Sequence, residues 1–274
     1  METYTPAAFN LHTHSWYCKH GSGQLSDYAK EAAKNDLAVL GFSEHCPVPS
    51  NRWSDTRMDF GQLDEYLADC RSQGETHPVL RVLTAFECDY DRADQHWYRE
   101  FLIGEKQVDY LCFGIHTLPY GGRPDVYLKD LPSDKRLLHQ YTDRYVEALA
   151  SRVFLFAAHP DLFGSFYHAW DEEAIACSKE ILACASDLNV PLEINGYGMR
   201  KPMIETPQGK RRQYPLDRFW ELASSYPVKV TAHSDAHTPE DLCKNRKEYL
   251  AYAERYNLSL CSLQFGDGKP VLVP

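Results

Sequence analysis

Seven short apolar runs rich in β-forming residues alternate along the chain with segments whose apolar residues recur at helical spacing. The runs span 8–12, 39–43, 79–86, 110–115, 153–158, 191–194 and 228–232. Between them, Leu25, Tyr28, Ala29, Ala32 and Ala33 follow the i, i+3, i+4, i+7, i+8 pattern of one helix face. So do Leu63, Tyr66, Leu67 and Cys70; Ala174, Ile175, Ser178, Ile181, Leu182 and Ala185; and Leu216, Phe219, Trp220 and Ala223. Thr238-Pro239-Glu240-Asp241 reads as an N-cap, a proline in the first turn and an acidic start to a further helix. Strand–helix alternation repeated in this way predicts a parallel sheet wrapped by helices. An open doubly wound sheet and a closed barrel both satisfy it.

The polar residues that follow each run separate the two. An open sheet collects ligands at one switch point, whereas a barrel directs the ends of all its strands to one central site. The first run leads into His12-Thr13-His14, with His20 beyond, and the second into Glu44-His45. The third leads into Glu87, the fourth into His116, the fifth into His159 and the sixth into Asn195. The seventh leads into His233-Ser234-Asp235-Ala236-His237. Every run ends in a potential ligand or polar donor, which favours a closed barrel. No repeat, low-complexity tract or linker divides the chain, so residues 1–274 are expected to form one barrel domain.

Imidazole and carboxylate are the usual ligands of zinc, iron and manganese. In extended backbone, residues two apart project to the same side. His12 with His14, and Asp235 with His237, can therefore each chelate one ion. A carboxylate such as Glu87 can bridge two ions, and paired ions can activate a hydroxide between them. One such pair alone is weak evidence; the recurrence of ligands at successive strand ends is what predicts a metal cluster. His77, His96, His139 and His168 lie away from those ends and are assigned surface or core roles.

Composition narrows the partners. Against 39 Asp and Glu stand 29 Lys and Arg, a net charge of −10. That balance argues against nucleic acid or an anionic membrane as the main partner, and an anionic substrate would need a local positive site. No apolar stretch approaches the roughly 18 residues of a membrane span, and the N-terminus has no signal-peptide pattern. The 9 cysteines include no C-x-x-C pair, which suggests reduced thiols and a cytoplasmic setting. Cys18, between His14 and His20, is taken as a bystander. No Gly-rich nucleotide-binding motif is present.

Taken together, N-L-H-T-H-S with His20, then S-E-H, the Glu of F-E-C-D-Y, His116, His159-Pro160 and S-D-A-H resemble the PHP family of metal-dependent phosphoesterases. S-E-H-C-P-V-P with Trp53 and Arg57-Met58 after it, F-E-C-D-Y, E-I-N-G-Y-G-M-R-K-P and Tyr214-Pro215 resemble its histidinol-phosphate phosphatase branch. The resemblance implies a distorted seven-stranded (β/α)7 barrel holding two to three divalent ions, with zinc, manganese and iron all compatible. It implies that His12, His14, Glu87 and Asp235 hold one ion, and that Glu87, His116 and His159 hold a second. His20, His45 and His237 would hold a third. The sequence departs from the family at His233, where a small residue is common, and after His116, in T-L-P-Y-G-G-R-P-D-V-Y.

The expected reaction is hydrolysis of a small phosphorylated metabolite, histidinol phosphate first, by a hydroxide between the ions, with Glu87, Asp235 and His237 at the reaction centre. Arg200 is the leading phosphate contact, and Arg57, His233 and Asn195 are further substrate-side candidates. Lys201, Lys210, Arg211 and Arg212 add charge to the same loop. Asp161, His233 or a water are alternatives for protonating the leaving group. Trp16, Tyr17, Trp53, Tyr120 and Tyr197 are candidates to line the organic half of the substrate. Another phosphoesterase of the same scaffold, acting on a nucleotide or oligonucleotide, is the alternative; a non-catalytic metal-binding module ranks below it.

Overall fold

The structure, a computed structural model, describes residues 2–274. Seven strands form one sheet: β1 (Phe9–Asn10), β2 (Val39–His45), β3 (Arg81–Asp89), β4 (Tyr110–Gly114), β5 (Phe156–Ala157), β6 (Leu192–Asn195) and β7 (Val230–His233). Their spatial order follows their chain order, and every neighbouring pair is parallel. All residues of β2, β4 and β6 are buried, as expected when helices cover one face of a parallel sheet and the other face turns inward. The sheet curls until β1 and β7 approach each other. There the backbone contact is a single bridge, Thr13 with Ala236, in which His14 N donates to Ala236 O at 2.8 Å.

All seven expected strands form, with shifted bounds. Residues 79–80 stay outside β3 because Arg81 pairs with Val39, the first residue of β2. Glu44, His45, Glu87, Asn195 and His233 consequently lie within strands instead of just beyond them. The expected helices form over Leu25–Lys34, Leu63–Thr76, Glu172–Leu188 and Asp217–Ala223. The periodicity reading left out the 17-residue helix Lys135–Ser151, whose Leu137, Leu138, Tyr141, Tyr145, Ala148 and Leu149 are buried. It packs chiefly on Glu172–Leu188.

The core has two parts. A large outer layer joins the helices to the outward side chains of the strands, among them Phe42, Phe86, Phe113 and Ile194. A smaller inner cluster contains Phe9, Leu11, Val39, Leu83, Ala85, Tyr110, Cys112 and Phe156. Leu263 and Leu272 join that inner cluster from an antiparallel sheet of Thr3–Tyr4, Ser262–Gly266 and Lys269–Val273. This terminal sheet, unanticipated by the strand–helix pattern, packs against residues from the beginnings of β1, β2 and β3. The opposite end of the barrel carries the histidines. No helix among the described residues is long and apolar enough to cross a membrane.

Candidate metal centre

Glu87 lies at the middle of the histidine-rich end. Its Oε1 is 2.9 Å from His159 Nε2 and 3.5 Å from both His12 Nε2 and His116 Nε2. Its Oε2 is 3.0 Å from His45 Nδ1 and 3.4 Å from His14 Nε2. Asp235 faces it, with Oδ1 3.3 Å from His14 Nε2 and 3.5 Å from His237 Nδ1. Space for the rings comes partly from Gly114 at the end of β4, where a Cβ would collide with the His159 and His116 rings. His159 (φ 30°) and Asp235 (φ 47°) both adopt left-handed backbone. Such strain persists only where the surroundings over-determine it, and it collects at functional sites.

The donor set fits a metal cluster. His12 Nε2, His14 Nε2, His45 Nδ1 and Asp235 Oδ1 are buried without a hydrogen-bond partner, which is costly for polar atoms unless a cation takes their lone pairs. His20 and His237 strengthen the case. His20 Nδ1 donates to Cys18 O at 2.7 Å and His237 Nδ1 to Asp235 O at 3.2 Å, since a carbonyl can only accept. Their Nε2 lone pairs are therefore both free, yet they face each other at 3.1 Å. Burial holds both rings neutral, His237 down to about 3, the state a ligand needs.

The carboxylates show the same demand for positive charge. Burial alone would raise Glu87 and Asp235, but the surrounding imidazoles hold both well below the ordinary carboxylate range. In return, although burial opposes it, His12 is raised by Glu193, Asp235 and Glu87. His14 is raised to about 9 through Asp235, Glu44 and Glu87. Two buried anions thus draw charge from whatever lies nearest, and divalent cations are the natural source.

The nine expected ligands are brought together, with one difference in grouping. His45 sits against Glu87 and stacks on His14 at 4.2 Å, so it stands between the sets expected to be separate. His14, His45 and His237 form one close set of donor atoms, and His45, Glu87 and His116 another. Cys18 also lies near His20 and His237. Its thiol donates to Ser15 O at 3.0 Å and is pushed well up, first by burial and then by Glu44, so it stays protonated.

Several substrate-side expectations are corrected. Asp161 is fully buried, and its Oδ2 accepts from Leu216 N at 2.5 Å and from Trp220 Nε1 at 3.0 Å. It braces a helix start and does not reach the cavity. His233 points into the barrel seam: Nδ1 accepts from Leu11 N at 3.3 Å, and Nε2 therefore donates to Thr231 Oγ1 at 2.9 Å. Arg200 donates to Asn245 Oδ1 at 2.8 Å and to Asp235 O at 3.2 Å, so it secures a ligand's backbone. Asn195 does the same for a side chain, with Nδ2 3.0 Å from Asp235 Oδ2 and 2.9 Å from Glu193 Oε2. Arg57 reaches the cavity wall, but its Nη2 binds Asp89 Oδ2 at 2.7 Å and its Nη1 binds Cys46 O at 3.1 Å.

The cavity above the histidines measures about 330 Å³. Tyr127, Tyr197 and Tyr214 line it together with Ser165, Gln213, Lys129 and Lys201. Tyr197 stacks on His237 at 4.7 Å, and Lys201 Nζ lies 4.2 Å from the Tyr197 ring centre. Of the aromatic candidates, Tyr197 is on the cavity wall, whereas Trp16 and Tyr120 are exposed, Tyr17 is in the core, and Trp53 stacks on arginines.

Lys129, Asp89 and Glu193 were not singled out from the sequence. Glu193 Oε1 takes His12 Nδ1 at 2.7 Å, and Oε2 accepts from His159 N at 3.1 Å. A signal for both carboxylates was present: Glu193 is an acid inside the 191–194 run and Asp89 lies between Cys88 and Tyr90 just past the 79–86 run, each two positions from a recognised polar residue, Asn195 or Glu87.

A Deinococcus radiodurans protein named "Probable histidinol-phosphatase" is 29% identical over 237 residues, covering 84% of this chain and 86% of that one. The Bacillus subtilis histidinol-phosphatase is 31% identical over 86 residues, 29% of this chain and 32% of that one. The structure is also similar to histidinol phosphate phosphatase from Lactococcus lactis, solved in complex with zinc, L-histidinol and phosphate. The TM-score is 0.70 at 14% identity, covering 96% of this chain and 98% of that one. Residues 10–196 match the PHP domain, and the chain belongs to the PHP family.

Proposed function

We propose that this protein is a metal-dependent phosphomonoester hydrolase acting on L-histidinol phosphate, with L-histidinol and phosphate as products. The observation that carries the reading is the set of buried imidazoles with free lone pairs around Glu87 and Asp235, at the floor of a cavity flanked by two lysines. The histidinol-phosphatase names of its relatives supply the substrate.

His12, His14, His20, His45, Glu87, His116, His159, Asp235 and His237 would hold two to three divalent ions, zinc, manganese or iron. Such ions supply Lewis acidity toward phosphate oxygens and lower the pKa of water. Glu87, reached by five imidazoles, would contribute to more than one of these positions. Lys129 and Lys201 form no ion pair among the described residues and line the cavity, so they replace Arg200 and Arg57 as the phosphate-attracting cations. Lys201 is partly desolvated, which lowers its pKa and strengthens its attraction for an anion that enters. The Tyr197, Tyr214 and Leu162 side chains give the organic half an apolar wall.

A phosphate-release panel on metal-replete protein tests the assignment, with histidinol phosphate, nucleotides, sugar phosphates, an aryl phosphate and an oligonucleotide. Histidinol phosphate is expected to give the highest kcat/KM. Turnover no better than that of the aryl phosphate would remove the substrate assignment while leaving the metal-dependent hydrolase in place.

A further inference from the structure

Arg57 reaches the cavity, yet both of its Nη atoms are engaged away from it, Nη2 with Asp89 and Nη1 with the Cys46 carbonyl, while its Nε is buried without a partner. Asp89 in turn uses Oδ1 to accept from both the His116 backbone N, at 3.1 Å, and His116 Nδ1, at 2.9 Å. With the proton on Nδ1, the lone pair of His116 Nε2 points to Glu87. We infer that Asp89 and Arg57 are positioning residues for one metal position, that of Glu87, His116 and His159, and that Arg57 acts on it through Asp89 instead of gripping phosphate. The inference rests on the metal-centre reading above.

The support for Arg57 is itself built. Its guanidinium lies 4.5 Å from the centre of the Trp53 ring, and that of Arg52 lies 4.0 Å from the same ring. Trp53 adopts left-handed backbone (φ 62°), a costly conformation for a bulky residue that must be held by its surroundings. Arg52 does part of that holding. It binds Asp91 Oδ2 at 2.8 Å, just beyond β3, and grips Asp125 with two of its nitrogens. Asp125 also accepts from Thr117 Oγ1, one residue after His116. Thr56 and Tyr127 join their hydroxyls at 3.0 Å across the same junction. The 46–58 loop, the end of β3 and the hairpin after His116 are thereby tied together around the ring that must present Nε2. Partners of this kind fix a ligand's tautomer and orientation, and their loss typically costs about 10–100-fold in metal affinity.

The test is zinc titration of metal-stripped protein against a chromophoric chelator, paired with kinetics on histidinol phosphate. Asp89→Asn is expected to weaken one class of zinc site by about 10–100-fold and leave the others unchanged. Arg57→Ala is expected to weaken the same class, with Arg57→Lys recovering part of the loss. In the background of His116→Ala, adding Asp89→Asn should cause no further loss, which a general destabilisation would not reproduce. Arg57→Ala decides the matter if Asp89→Asn does not fold. Zinc bound equally by wild type and by either variant overturns the inference alone. So does an Arg57→Ala variant with native zinc affinity and a raised KM, the signature of a phosphate contact. Wild-type protein that takes up none of zinc, manganese and iron overturns the metal-centre reading and this inference with it.

Discussion

At the scale of single residues, the polar groups beside the clustered histidines (Asp161, His233, Arg200, Asn195 and Arg57) are occupied in supporting the site. Asp161 shows this most directly, because its carboxylate serves two buried donors, Leu216 N and Trp220 Nε1. Asp161→Ala should lower stability by about 2–4 kcal/mol in urea unfolding, from two unpaired donors. Asp161→Asn keeps an acceptor and should retain turnover; a large loss of kcat in that variant would restore Asp161 as the acid. Burial raises the Asp161 pKa from its ordinary 3.8 to about 6. A raised folded-state value means the native protein binds this proton more tightly, so the contribution is full at low pH and is lost as pH rises from about 4 to 6. The asparagine variant should lack that slope when stability is followed across the window. The neighbours Arg200 and Lys201 separate in the same manner. Lys201→Ala should raise KM about tenfold, roughly 1.4 kcal/mol, with little change in kcat. Arg200→Ala should lower kcat more than it raises KM, since Arg200 holds the Asp235 carbonyl.

At the scale of elements, the informative place is the junction of β1 and β7, where the barrel closes without a strand ladder. Side chains do the work of the missing backbone bonds. His233 Nδ1 takes the Leu11 amide, and Asn10 Nδ2 donates to Ser234 Oγ at 2.7 Å. His233 also fills space between Phe9 and Phe156, with ring centres 5.7 and 5.0 Å away. The His233 imidazole therefore stitches the seam. His233→Ala would leave a buried amide unpaired and open a cavity, costing about 3 kcal/mol. Urea unfolding measures it, and kinetics at a temperature where the variant remains folded should show no pH-dependent loss of a catalytic acid. Unchanged stability would send His233 back to the substrate side.

At the scale of the whole molecule, metal removal is the decisive perturbation. The protein carries net charge −10, and the buried acids Glu87, Asp235, Asp89 and Glu193 lie among or against the clustered histidines. Stripping ions leaves Glu87 and Asp235 to be balanced by protonated histidines alone, so apo protein should melt at a lower temperature. Stabilisation should return with added zinc, manganese or iron in proportion to the logarithm of free metal concentration. Identical melting with and without chelator would count against the centre. Because the ions oppose the overall charge locally, the acidic composition is compatible with an anionic substrate of small size. It remains unfavourable for a long polyanion, which needs a broad basic track.

The alternation of strand and helix, the seven strands and the nine polar positions that the fold brings together were legible in the chain itself. Period-two and period-3.6 patterns follow from local geometry, and a histidine, glutamate or asparagine after each apolar run is a local feature too. The Lys135–Ser151 helix also carries its own apolar stripe in the sequence. What only the folded molecule decided is where polar side chains next to the ligands point. Arg200 and Lys201 are adjacent in sequence, yet one secures Asp235 and the other lines the cavity. His233 and Asp235 are two apart, yet one turns into the seam and the other to the ligands. Those outcomes depend on partners distant in the chain, Asn245 for Arg200 and Leu11 for His233. The terminal sheet likewise joins residues from both ends of the chain. Local pattern carries the periodicity of each element, whereas hydrogen-bond satisfaction inside a packed barrel is settled by contacts between elements, and those exist only once the chain has closed on itself.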